Sequence, residues 1–179
     1  RPMKVNRRQV LQGIAAGAAS LLLPGAASAQ GREIKVALIA PLSGPWGRSG
    51  QLMKIGADMG IQDVNAKGGV KVGSARMNLR LVPADAGDSV ERAKNAAQRF
   101  IAQEPDVVAG TGAWLSSFTI AVTEVTERAK LPWVTLSYAD GITNRGFKYV
   151  IQTNSVSTEQ AANSMPAVLD MAQRATGRR

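Results

Sequence analysis

The chain has 179 residues, of which 45% are apolar, enough for one domain with its own core. It contains neither His nor Cys, which excludes disulfides, thiol nucleophiles, zinc sites built on those residues and any Ser-His-Asp arrangement within the chain. The net charge of +9 suggests nucleic acid until it is divided. Arg1, Lys4, Arg7 and Arg8 carry four of those charges, and the remaining basic residues are interspersed with acids and short of aromatic neighbours, so no nucleic-acid partner is expected.

The first segment reads as an export signal over residues 1–29. Met3 is a natural start, Lys4, Arg7 and Arg8 charge a short first region, Gly13 to Leu23 is small and apolar apart from Ser20, and Ala27-Ser28-Ala29 offers a cleavage site before Gln30. A membrane-spanning helix needs about 20 apolar residues, whereas this run closes early at Pro24-Gly25. Asn6 to Gln12 resembles a twin-arginine motif, with Asn6, Val10 and Gln12 as departures. No cysteine follows the apolar run, so the exported mature part is expected to be soluble and free of a lipid anchor.

Ile34 to Ala40 is apolar at almost every position, as a strand buried on both faces of a parallel sheet should be. A helix follows the Gly47 to Gly50 region, with Leu52, Ile55 and Met59 at helical spacing and a stop at Gly68-Gly69. Met77 to Ala84 reads as the second strand. Asp88 with Glu91 forms a capping-box pattern, and Val90, Ala93, Ala97, Phe100 and Ile101 make the inner stripe of the helix it opens. Val107 to Ala109 is a third strand running into Gly110-Thr111-Gly112, and Ser116-Ser117 start a helix that buries Phe118, Val122, Val125 and Ala129. Leu131 to Leu136 and Val150 to Thr153 are further strands. Ser157 with Gln160 opens a last helix reaching about Ala175, which Pro166 should kink or end early.

Strands alternating with helices indicate an α/β, doubly wound parallel sheet, and such sheets bind ligands at the carboxyl ends of their strands. The loops there are the candidates. Gly110 to Ser117 joins a strand to a helix N-terminus, where free N–H groups, the dipole and the Ser116 and Ser117 hydroxyls suit a carboxylate, unless the serines merely cap the helix. The third glycine of a dinucleotide fingerprint is absent and there is no phosphate loop, so no cofactor is expected. Trp46, Trp114 and Tyr138 lie on three strand ends and either line a small-molecule pocket or pack the lid. Asp85 and Asp88 are expected to close a loop and cap a helix. Asp140, in Ser137-Tyr138-Ala139-Asp140, either meets a solute ammonium or holds its own turn.

Several blocks together resemble the type I periplasmic solute-binding proteins of the branched-chain amino-acid (Leu/Ile/Val) ABC transport class. They are Ile34 to Pro45, Asp63 to Gly69, Asp85 to Asp88, Glu127 to Pro132 and Ile142 to Tyr149. The resemblance implies a Rossmann-like lobe paired with a second one, a solute gripped by its carboxylate, and an ABC permease in the inner membrane as partner. The positions that match the family's grip are Ser116, with Ser117 beside it, and Tyr138 and Ala139, flanked by Ser137 and Asp140, while Trp46 matches a lining position. The bulk of Tyr138 and Trp114 departs from the amino-acid binders, which widens the solute from an aliphatic amino acid to an aromatic acid. Residues 30–179 are then expected to be the first, ligand-binding lobe, truncated before the second. The resemblance implies no enzyme. A ligand-sensing domain of a signalling protein would use the same fold, and an enzyme would need charged residues converging on the cleft, where the loops offer only Asp85, Asp88 and Asp140.

Overall fold

The computed structural model describes residues 33–177. The expected export segment lies outside the described residues. Strands β1 (Ile34–Ala40), β4 (Leu79–Asp85), β5 (Val107–Gly112), β6 (Trp133–Thr135) and β7 (Val150–Gln152) form one parallel sheet in the spatial order β4-β1-β5-β6-β7. Because β1 pairs with β4 on one side and β5 on the other, every backbone group of its centre is used, and Leu38, Ile39 and Ala40 are almost wholly buried. The chain leaves β1 toward β4 and later returns past it to β5. The order therefore reverses between β1 and β5, and the crevice of a doubly wound sheet opens there.

Helices α2 (Val90–Gln103) and α3 (Ser116–Arg128) pack together on one face over Ala37 and Ile39, with Phe100, Phe118, Val122 and Trp133 filling the core. Helix α1 (Gly47–Ala66) covers β1 and β4 from the other face. It approaches so closely that a Cβ on Gly50 would collide with the Pro41 carbonyl. The apolar residues that the sequence shows at helical spacing in this helix are turned outward. Leu52, Ile55 and Met59 are 60%, 54% and 61% exposed, and the half-buried apolar positions are Met53, Ala57, Ile61 and Val64, a neighbouring stripe.

Other local expectations shift for identifiable reasons. The second strand starts at Leu79, because Val70–Val72 (β2) and Ala75–Met77 (β3) form a short antiparallel hairpin around Gly73, too short to leave a periodic signature. Helix α2 is capped by Ser89, whose hydroxyl accepts from the Arg92 N–H at 3.2 Å. Asp88, expected in that role, pairs with the Arg92 guanidinium at 3.1 Å, and Val90 is exposed. In α3, Ala129 is exposed while Thr119, Thr123 and Thr126 are buried, the last two returning their hydroxyls to carbonyls of the preceding turn. The final helix, α4 (Ser157–Thr176), runs through Pro166 for ten more residues and ends on left-handed Gly177. Its surface carries Met165, Val168, Leu169 and Met171, all at least half exposed.

At the end of β5, Gly112 adopts φ 115°, and a Cβ there would penetrate the Ile39 carbonyl. Gly112→Ala is expected to lower the unfolding free energy by on the order of 2 kcal/mol or more. Urea denaturation of the wild-type and variant proteins checks this, and an unchanged midpoint would show that the β1–β5 junction tolerates displacement.

Candidate functional site

Beyond Gly112 the chain takes two consecutive left-handed residues, Ala113 at φ 72° and Trp114 at φ 55°, before α3 begins. Left-handed backbone costs a side-chain-bearing residue about 1–2 kcal/mol, so this turn persists only where its surroundings hold it. The Ala113 N–H donates to the Ile39 carbonyl at the end of β1. The Ser137 hydroxyl, only 2% exposed, donates to the Trp114 carbonyl at 2.9 Å and lies 2.7 Å from the Thr119 hydroxyl in the first turns of α3. Trp114 is braced from outside by Trp46, the last residue of the short 3-10 turn Gly44–Trp46, with ring centroids 5.1 Å apart and planes inclined by 54°.

These elements line an open cavity of about 500 Å³ at the carboxyl ends of the strands. Its walls are Ser49, Leu52 and Met53 of α1, Gly112 and Trp114 after β5, Leu136, Ser137 and Tyr138 after β6, and Asn154 after β7. None of these side chains is charged. Of the candidate residues, Trp114, Ser137 and Tyr138 line this cavity and Trp46 reaches it through Trp114, whereas Ser116, Ser117, Ala139 and Asp140 are not among its lining residues. Leu52, Met53, Leu136 and Asn154 were not singled out from sequence. Asn154 follows an ordinary strand end, and Leu52 and Met53 belong to a helix whose facing could not be read from spacing alone.

The serines divide their work. Ser117 is exposed, whereas Ser116 is half-buried and accepts from the Ala139 N–H at 3.3 Å, tying the start of α3 to the loop after β6. Among the described side chains none caps α3, so the N–H groups that precede its first backbone bond, Thr119 to the Leu115 carbonyl, stay available at the strand-end surface.

The carboxylates are engaged in structure. Asp140 accepts from the Thr158 hydroxyl at the start of α4, a bond that holds its pKa below the ordinary aspartate value, and Ser157 donates to the Tyr138 carbonyl at 2.7 Å. Asp85 accepts from the Leu42 and Gly87 N–H groups, each at 2.8 Å, and from the Ser43 hydroxyl. Burial pushes its carboxyl up, but those hydrogen bonds outweigh burial and hold it below the usual range. Among the described residues no group of three or more acidic side chains could hold a metal, and no helix is long and apolar enough to cross a membrane.

Two outcomes follow from these bonds. Ser137→Ala leaves the Trp114 carbonyl and the Thr119 hydroxyl without their partner, and should cost about 1–3 kcal/mol in a denaturant titration while loosening Trp114, read as a red-shifted, broadened indole emission. The depressed pKa of Asp85 contributes stability that is present above the unfolded-state pKa and lost as pH falls through the folded-state pKa. Asp85→Asn should therefore flatten the acid limb of the melting temperature against pH, and an unaltered limb would remove Asp85 from the explanation.

Residues 33–179 match the family described as periplasmic binding protein. The Leu/Ile/Val-binding protein homolog 7 of Brucella melitensis is 35% identical over 141 residues, which are 78% of this chain and 34% of that protein. The chain thus spans about a third of the length of the curated relatives it matches. A leucine-binding protein LivK from Thermotoga maritima superposes with TM-score 0.63 at 26% identity, covering 80% of this chain and 38% of that one. A solute-binding protein of an ABC transporter from R. palustris, solved with 4-hydroxybenzoate, superposes with TM-score 0.59 at 28% identity over 75% of this chain and 36% of its own. A parallel sheet reversing between β1 and β5, an uncharged strand-end cavity and a family match covering every described residue lead to one assignment: the chain belongs to the periplasmic binding protein family.

Proposed function

We propose that the chain is the first lobe of an extracytoplasmic solute receptor. It holds a small carboxylate, an amino acid or an aromatic acid, in a cleft between two lobes and delivers it to an ABC permease in the inner membrane. It binds and closes without covalent chemistry, and residues 1–29 direct its export. The observation that carries this reading is a mostly apolar, uncharged cavity at the point where strand order reverses, walled by Trp114 just ahead of an uncapped helix N-terminus. The N–H groups and the dipole of α3 favour an anion there, and the Ser116 hydroxyl, which accepts from Ala139, keeps its own proton to donate. Relatives that bind leucine and 4-hydroxybenzoate support both solute classes.

The second lobe is supported by surfaces that this lobe leaves uncovered. Helix α4 has no buried residue, yet it carries Met165, Val168, Leu169 and Met171. Its attachment runs through the Ser157 and Thr158 bonds to Tyr138 and Asp140, at the rim of the cavity. A helix that buries none of its residues and is tied to the cavity rim at its first turn can follow a second body as the cleft closes.

The full-length mature protein should melt at higher temperature in the presence of a cognate carboxylate. Ser116→Ala should weaken that carboxylate about tenfold or more, since a hydrogen bond to a charged group is lost. Binding unchanged in Ser116→Ala and in the Ser116→Ala/Ser117→Ala double variant would remove the α3 terminus from the site. Residues 30–179 alone are expected to bind far more weakly, because one lobe leaves much of the solute in water, and a micromolar or tighter constant for them would refute the two-lobe cleft.

A further inference from the structure

Helix α1 turns a stripe away from the lobe along almost its whole length, and that stripe is apolar in the middle and charged at both ends. Arg48, Leu52, Ile55, Met59 and Asp63 recur every three or four residues, and all five are exposed. Among the described residues, the Arg48 guanidinium and the Asp63 carboxylate have no hydrogen-bond or ion-pair partner. Lys54 and Asp58, on another side of the helix, pair with each other at 2.6 Å. Beside the stripe, Gly56 and Gly60 have nothing within 4 Å of where a Cβ would stand. Interior helix glycines cost stability relative to alanine, and no close approach within the lobe requires these two, whereas Gly50 is forced by the Pro41 carbonyl.

A second lobe closing over the cavity would reach only one end of this surface. Leu52 lines the cavity, but α1 runs from there toward the opposite ends of the strands, where Asn65 exchanges hydrogen bonds with the backbone of Leu79 at the start of β4. At the rise of an α-helix, Asp63 lies about 16 Å beyond Leu52. The stripe therefore needs an occupant that follows the helix, acidic opposite Arg48, apolar in the middle and basic opposite Asp63. Its own reverse has that pattern. A two-fold axis between Ile55 and Gly56 sets Arg48 opposite Asp63 of the second copy, Leu52 opposite Met59 and Ile55 opposite Gly56, and each pairing occurs twice. The hollow over Gly56 then receives an isoleucine. Parallel helices would instead bring like charges together.

We infer that α1 is a docking surface for a second copy of this chain, paired antiparallel along Arg48, Leu52, Ile55, Met59 and Asp63, because the exposed stripe complements its own reverse in shape and charge. The inference does not depend on which solute the cavity takes. One pair of helices is a small interface, so a reversible dimer with a dissociation constant on the order of 10–100 µM is expected.

Sedimentation equilibrium of the full-length mature protein at low ionic strength, from about 1 to about 500 µM, brackets that constant. Met59→Lys should leave a monomer at every concentration. Arg48→Asp or Asp63→Arg alone should weaken association about fivefold or more, since each turns two attractive pairs repulsive, and the double variant Arg48→Asp/Asp63→Arg should restore it. All three positions are exposed, so the melting temperature of dilute protein should stay unchanged, which separates lost association from lost folding. A wild-type protein that stays monomeric throughout would overturn the inference and leave the stripe to chain outside residues 33–177. A dimer that tolerates Met59→Lys, or a charge exchange that fails to restore association, would overturn it as well, by placing the contact on another surface or in another orientation.

Discussion

Where the end of β1 meets the end of β5, the Ala113 N–H donates to the Ile39 carbonyl and Gly112 has no room for a Cβ, so the backbones touch where side chains would normally part them. The remaining geometry of the site descends from this contact. It turns the chain into the left-handed Ala113–Trp114 pair, and that turn aims the start of α3 at the strand ends. It also puts the Trp114 carbonyl within reach of Ser137 on the neighbouring loop. Strain of a few kcal/mol in such a turn is sustained by the hydrogen bonds and by the Trp46 ring that close over it. A looser junction would leave Trp114 free to swing, and the cavity would lose its most rigid wall.

Polar groups are distributed with the same consistency. Acids and hydroxyls near the strand ends are spent on fastening loops to one another: Asp85 joins the loop after β1 to the loop after β4, and Ser116 joins α3 to the loop after β6. At the opposite end of β1, Lys35 bridges Glu104 and Asp106 at 2.7 and 2.9 Å, securing the passage from α2 into β5 away from the cavity. Charge is thereby removed from the cavity wall, while the helix dipole of α3, which cannot be neutralised by a side chain it lacks, is left to act on whatever enters. A neutral wall beside a positive helix end suits the proposed carboxylate receptor.

Apolar surface is divided less evenly. The face under α2 and α3 is sealed by Phe100, Phe118, Val122 and Trp133, whereas α1 presents Leu52, Ile55 and Met59 outward and α4 buries nothing. Exposed apolar stripes on two helices that flank one cavity are costly for an isolated lobe. They fit the proposal that another body of the same protein covers them.

Much of this was written in the sequence. The continuous apolar run of β1, the stop at Gly68-Gly69 and the alternation of strand and helix needed only periodicity and glycine chemistry, and the strand-end rule located the loops from Trp46 to Asp140 before any coordinates. Tertiary structure alone decided which stripe of α1 faces inward, since Leu52-Ile55-Met59 and Met53-Ala57-Ile61 are both helical stripes and only the sheet chooses between them. It also decided that the Ser137 hydroxyl meets the Trp114 carbonyl and the Thr119 hydroxyl, and that Asp140 binds Thr158 across 18 residues of chain. Spacing along a chain reports what one element can bury, but the partner of a hydroxyl or carboxylate is set by which loops a fold brings within 3 Å, roughly, of one another.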